Sequence, residues 1–147
     1  MYSIILASHN AVRWLVVLTG VWAVIRVWRG WMSRAAWAPA DLNVGRLFVN
    51  MISLQFVLGV VLYATSPLIR QGLGDMATAM RTTGVRYFMV EHVVMMLISI
   101  AFAHVGLAKV KKAASDSARF QAATIWWGIA VASVLGFIPW NRPLLPF

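Results

Sequence analysis

The sequence predicts an all-α integral membrane protein, a four-helix up-and-down bundle. Three observations predict it. Of the 147 residues, 61% are hydrophobic and only 12% charged, against about 25% charged in a soluble domain. The apolar residues gather into four segments, each near the roughly 20 residues a helix needs to cross the hydrocarbon of a bilayer. The basic residues behind a net charge of +9 flank those segments. They therefore read as membrane topology and contact with anionic lipid, not as a nucleic-acid surface. The length allows a single domain over residues 1–147.

The first span covers about residues 3–27, and its first positive side chain, Arg13, already lies inside it. That placement does not fit a signal peptide, which carries its positive charge ahead of the apolar run. The second span covers about 45–65 and stops at Ser66-Pro67, because proline disfavours helix at the residue before it. The third covers about 85–108. The fourth covers about 120–138 and ends at Pro139. Helices are the economical choice for such spans, since lipid offers the backbone no hydrogen-bond partner. Asp41, Thr82 or Thr83, and Ser115 or Asp116 stand where helix N-caps belong. The stretch from Leu73 to Met80 reads as a short interfacial helix.

Charge asymmetry sets the orientation. Arg26, Arg29, Arg34, Arg46, Lys109, Lys111, Lys112 and Arg119 fall on one side. Arg70, Arg81, Arg86 and Arg142 fall on the other. By the positive-inside rule the first group is cytoplasmic and both termini are periplasmic, in a multi-pass protein of a bacterial inner membrane. Trp28, Trp31 and Trp37 at the inner boundary, and Trp14 and Trp140 at the outer, read as interfacial belts.

Ionisable groups at membrane depth are costly and tend to mark functional sites. His9, Arg13, Glu91, His92 and His104 are such groups. His9 and His92 lie at one expected depth, about 10 Å below the outer surface, on spans that run in the same direction. Two imidazoles so placed can clamp a metal from opposite sides. The chain has no cysteine, which excludes disulfides, thiolate metal sites and catalytic thiols. Imidazole ligation to an iron porphyrin is then the economical option, and bis-histidine ligation suits electron transfer. Arg13 shares the face of His9 one turn deeper. Its expected partner is Glu91 across the bundle. Alternatively Arg13 meets a haem propionate and Glu91 orients a ligating histidine. Arg81, Arg86 and Arg142 can serve propionates at the outer mouth.

His104 lies about 18 Å along the helix from His92 and about 120° round it. It reads as a hydrogen-bonding core residue, a single axial ligand or a quinone contact. Met89, Met95 and Met96 near His92, with Met76 and Met80, fit either apolar packing or copper(I). Gly20, Gly59, Gly106, Gly128 and Gly136 allow close helix approach or leave room for a flat macrocycle.

His9-Asn10-x-x-Arg13-Trp14, Gln55 with Gly59 and Tyr63, Arg86-Tyr87-Phe88 leading to Glu91-His92, the basic patch from Lys109 to Lys112, and Ile138-Pro139-Trp140 together form a pattern over nearly the whole chain. It resembles a family of small bacterial four-helix membrane proteins labelled cytochrome-b-like. The resemblance implies one b-type haem per chain, with His9 and His92 at the ligand positions.

Three functions fit these residues. The first is a membrane b-type cytochrome passing electrons between the quinone pool and a partner redox complex. The second is an accessory subunit of a larger respiratory or photosynthetic membrane complex. The third is a copper-handling membrane protein. A stand-alone enzyme fits least: no Ser–His–acid order, phosphate loop or paired carboxylates is visible.

Overall fold

The computed structural model describes residues 1–140, all helix and connections without a strand. The elements are α1 (Tyr2–Met32), α2 (Pro39–Thr65), α3 (Pro67–Gly74), α4 (Met76–Arg81), α5 (Thr83–Arg86), a π turn (Tyr87–Glu91), α6 (His92–Lys112) and α7 (Asp116–Gly136). Three helical stretches, Tyr2–Met32, Pro39–Thr65 and Thr83–Lys112, are long and apolar enough to cross a membrane. The fourth expected span, α7, is not among them. Asp116, Arg119, Gln121 and Thr124 lower the hydropathy of its first half.

Local chemistry sets the ends. Helix α2 begins with Pro39 at its first position, where a missing N–H costs nothing. The expected cap, Asp41, sits three residues inside the N-cap, Ala38. Its Oδ2 accepts the Ala38 N–H at 2.7 Å and its Oδ1 accepts Arg26 Nε at 2.6 Å. One buried carboxylate thus closes α2 and ties it to α1. The helix stops at Ser66 before Pro67, as expected. Thr82 is the N-cap residue of α5, and Ser115 caps α7 by accepting the Ala118 N–H at 3.2 Å. The single interfacial helix expected over Leu73 to Met80 is instead a pair, α3 and α4. They break at Asp75, whose carboxylate accepts the Thr78 N–H at 3.0 Å and starts a new helix. Helix α1 ends with Arg34 in the left-handed region, φ 52°. The Ala35 N–H bonds the Gly30 carbonyl at 3.0 Å and the Arg34 N–H bonds the Trp31 carbonyl at 3.2 Å, a Schellman closure that ordinarily favours glycine.

Helix α1 packs on α2 and α7, and α6 packs on the same two helices. This leaves α1 and α6 diagonal. Along α1, Arg26 meets Asp41, Gly20 meets Phe48, and His9 meets Gly59, so α2 runs antiparallel to it. Gly30 faces Phe120 and Gly20 faces Val131, so α7 is antiparallel to α1 too. Ser53 of α2 meets His104 of α6, and Tyr63 of α2 meets Met89 of the π turn.

The core is built around aromatic rings laid on glycines. Trp127, fully buried, lies against Gly45 of α2 and Gly106 of α6, and its indole N–H donates to the Ala103 carbonyl at 3.3 Å. Phe120 fills the space over Gly30, and Phe48 that over Gly20. Gly20 and Gly106 therefore serve close packing and leave no slot for a macrocycle beside them. Gly128 and Gly136 have nothing within 4 Å of where a Cβ would stand, so neither marks a close approach among the described residues. Large apolar side chains such as Leu15, Leu18, Trp22 and Ile25 point outward, as a lipid-facing surface requires.

Candidate functional site

The site lies at the end of the molecule where α1 begins and α2 ends. His9 turns toward α2. Its Cε1 stands 3.4 Å from the position a Cβ on residue 59 would take, so Gly59 makes room for the imidazole. The Nδ1 of His9 is buried without a hydrogen-bond partner among the described residues, and so is Oε1 of Gln55, one turn before Gly59. The Gln55 backbone interacts with the imidazole ring. Orphaned polar atoms are rare in folded chains and call for an explanation, such as a ligand, ion or water.

His92 is fixed differently. The chain enters α6 through the π turn Tyr87–Glu91, where one extra residue per turn rotates the helix beyond it. The His92 Nδ1 lies 2.9 Å from the Phe137 carbonyl, at the end of α7. A carbonyl only accepts, so Nδ1 carries the proton and Nε2 keeps its lone pair. Tyr87 donates its hydroxyl to the same carbonyl at 2.7 Å. Tyr87 and Phe88 flank the imidazole, with ring centroids 5.8 and 6.1 Å away.

His9 faces Gly59, while Tyr63, one turn on, donates to the Met89 carbonyl at 3.2 Å, three residues before His92. The two histidines therefore share one end of the molecule, on diagonal helices, and lie within electrostatic range of each other and of Arg13. Arg13 is buried at 6% exposure, with its guanidinium carbon 5.9 Å from the Trp14 ring. Trp14 meets Trp140 edge-on at 6.4 Å.

Two expected contacts do not form. Glu91 does not pair with Arg13. Its Oε1 accepts Arg86 Nε at 2.7 Å, and Arg86 also donates to the Met80 carbonyl at 3.2 Å. The π turn accounts for this, because it closes the five-residue gap between Arg86 and Glu91 on one side of the helix. Nor does Glu91 orient His92, since the Phe137 carbonyl holds that ring. Arg86, expected at a propionate, has its Nε and one terminal nitrogen engaged by protein groups.

His104 lies apart. It is exposed on α6, not in the core, and its Nε2 sits 3.0 Å from Ser53 Oγ. That hydroxyl donates to the Val49 carbonyl at 2.7 Å, so His104 is the donor in a bond joining α6 to α2. Met89 is buried with its sulfur on Gly72, a packing contact. No group of three or more histidine or acidic side chains suited to a metal occurs among the described residues. Arg142 lies outside the described residues.

The sequence reading missed the Phe137 carbonyl and Tyr87 as the groups that fix His92. A backbone acceptor leaves no signature in a side-chain pattern. The orphaned pair His9 and Gln55 carried a signal in the Gln55–Gly59 spacing, one helical turn. No protein-family profile, curated protein or solved structure matches the chain.

Proposed function

We propose that this chain is a b-type cytochrome of a bacterial inner membrane. It is a four-helix up-and-down bundle with both termini periplasmic, holding one haem between His9 and His92. It exchanges electrons with the quinone pool or a partner redox complex. The observation that carries this reading is the state of the two imidazoles. One has a buried nitrogen without a partner, and the other has its Nδ1–H committed to a carbonyl, which leaves Nε2 as the available donor. A backbone carbonyl on the second ring nitrogen is the usual means of orienting a metal-ligating histidine.

His9 and His92 would hold the haem, which would supply one-electron chemistry. The chain's own contribution is positional. Phe137 and Tyr87 fix the His92 ring, and Gly59 admits the His9 ring against α2. Arg13, buried and one turn below His9, supplies positive charge suited to a propionate.

The test is a visible spectrum of detergent-purified protein, oxidised and then dithionite-reduced, with pyridine haemochrome quantitation. The expected result is a b-type α band at one haem per chain, lost in His9→Ala and in His92→Ala and kept in His104→Ala. A spectrum that survives both of the first two substitutions refutes the reading. So does folded protein without haem, made with adequate haem supply. Metal analysis on the same sample separates it from copper handling, which requires stoichiometric copper.

One observation also favours an accessory subunit of a larger membrane complex. The connections at residues 33–38 and 113–115 are short, and that between α2 and the π turn is three short helices, so among the described residues no separate domain stands outside the helical body. Native gel migration after mild extraction tests it: a free small species alone counts against it. A reporter at the carboxy terminus tests the orientation, and a cytoplasmic signal refutes it.

A further inference from the structure

The opposite end of the molecule carries a feature that the haem reading does not use. Between the last turns of α1 and the start of α2 lies a groove of about 370 Å³. Trp22, Ile25, Arg26 and Arg29 line it from α1, and Ala38 and Asp41 from the α2 side.

Its charge is positive. The Asp41 carboxylate is satisfied on both oxygens, by Arg26 and by the Ala38 N–H. Arg29 lines the same groove, and no ion pair among the described residues includes it. One full positive charge is therefore left over, on a guanidinium whose planar fork matches a phosphate. The residues of the connection that line the groove, Ala35, Ala36 and Ala38, are small and leave space for a bulky head.

An amphipathic line runs along α1 through the groove and beyond it. Leu18, Trp22, Ile25 and Arg29 succeed one another at helical spacing on one face of α1, and the three apolar members are 63%, 52% and 49% exposed. From Leu18 to Arg29 this stripe is about 16 Å long. A soluble anion would use only its charged end. An anion with a long apolar tail uses all of it.

We propose that this groove binds an anionic phospholipid. The phosphodiester sits on Arg29 beside Arg26, and one acyl chain lies along Ile25, Trp22 and Leu18. The proposal rests on the chain being embedded in a membrane and is independent of haem.

The test titrates purified protein in a neutral detergent with phosphatidylglycerol, with phosphatidylcholine, and with inorganic phosphate alone, reading the thermal unfolding midpoint. Haem content is measured on the same samples, so failure of the two readings is told apart. Phosphatidylglycerol is expected to raise the midpoint where phosphatidylcholine and phosphate do not. Arg29→Gln is expected to weaken the phosphatidylglycerol effect about tenfold, the loss of one charge-assisted contact. Arg29→Lys keeps the charge without the fork and is expected to lose less. Trp22→Ala leaves the charge untouched and is expected to weaken phosphatidylglycerol as well. Lys111→Gln, which removes a charge on α6, is expected to change nothing. Equal weakening in Lys111→Gln overturns the proposal in favour of diffuse attraction. An equal response to phosphate alone overturns it in favour of a soluble anion, and an equal response to both lipids removes the anionic selectivity on which it stands. If Arg29→Gln does not fold, by far-ultraviolet dichroism, Arg29→Lys and Trp22→Ala decide.

Discussion

Gly106→Ala adds one methyl group where α6 lies against Trp126 and Trp127 of α7. The new Cβ would stand 2.7 Å from Trp127 Cδ1, 2.8 Å from its Nε1 and 2.8 Å from Trp126 Cβ. Carbon atoms settle at about 3.5–4.0 Å, so the neighbours must retreat by about 1 Å. Trp127 has nowhere to go, because its far edge lies on Gly45. The Trp126 Cβ is fixed by the α7 backbone. Overpacking of this kind costs about 1–3 kcal/mol, offset by up to about 1 kcal/mol from the better helix propensity of alanine. With the full offset the expected net loss is about 0–2 kcal/mol. Gly128→Ala on α7 is the control. Nothing lies within 4 Å of its Cβ, so only the propensity gain remains and stability rises by up to about 1 kcal/mol. The assay is reversible unfolding in mixed micelles on titration with a denaturing detergent, followed by dichroism. Trp127→Phe should relieve Gly106→Ala, with a coupling of about 0.5–3 kcal/mol between neighbours in contact. If the two glycine substitutions have the same sign, or if Trp127→Phe and Gly106→Ala simply add, the account of this interface is wrong.

Other contacts between and beyond the long helices set four more outcomes. Glu91→Gln should cost less than about 1 kcal/mol, because its pair with Arg86 is partly exposed and screened; a loss of several kcal/mol in the same unfolding assay would return Glu91 to a buried partner. His104→Ala removes the bond to Ser53 and should cost about 0.6 kcal/mol, the average for such bonds between membrane helices, with the visible spectrum unchanged. Arg34→Gly relieves a left-handed residue and should stabilise the fold by about 1 kcal/mol in thermal unfolding. Asp75 accepts the Thr78 N–H, with the Thr78 hydroxyl and the Ala77 N–H as further donors, and these hold its carboxyl below the ordinary value of 3.8. Its support of α4 is therefore present above pH 3.8 and lost as pH falls through the depressed value. Hydrogen exchange at the Thr78 amide should quicken on that descent, and Asp75→Ala should abolish the dependence.

Much of the helical layout was legible because it rests on local signals. Ser66-Pro67 and Ser115 end or begin helices through their own backbone chemistry, whatever packs against them. His9 and His92 were paired through depth alone, and the structure places them at one end on diagonal helices. The Arg13–Glu91 pair does not form because the helix is not regular through residues 87–91. The extra residue of the π turn shifts side-chain azimuth by about 100°, and Glu91 meets Arg86 instead. Trp127 shows a second limit. Its neighbour Trp126 has the same side chain, and only the positions of Gly45 and Gly106 on two other helices decide which ring is buried.

The bond between His92 and Phe137 also sets an order of events during synthesis. The two residues are 45 positions apart. At about 5–20 residues per second, the carbonyl that fixes the imidazole is made roughly 2–9 s after the imidazole itself. Until then the ring is free to turn and either nitrogen can carry the proton. The candidate site thus matures only when α7 has been released and docked, and anything captured by His92 earlier meets a different donor from the one in the folded molecule.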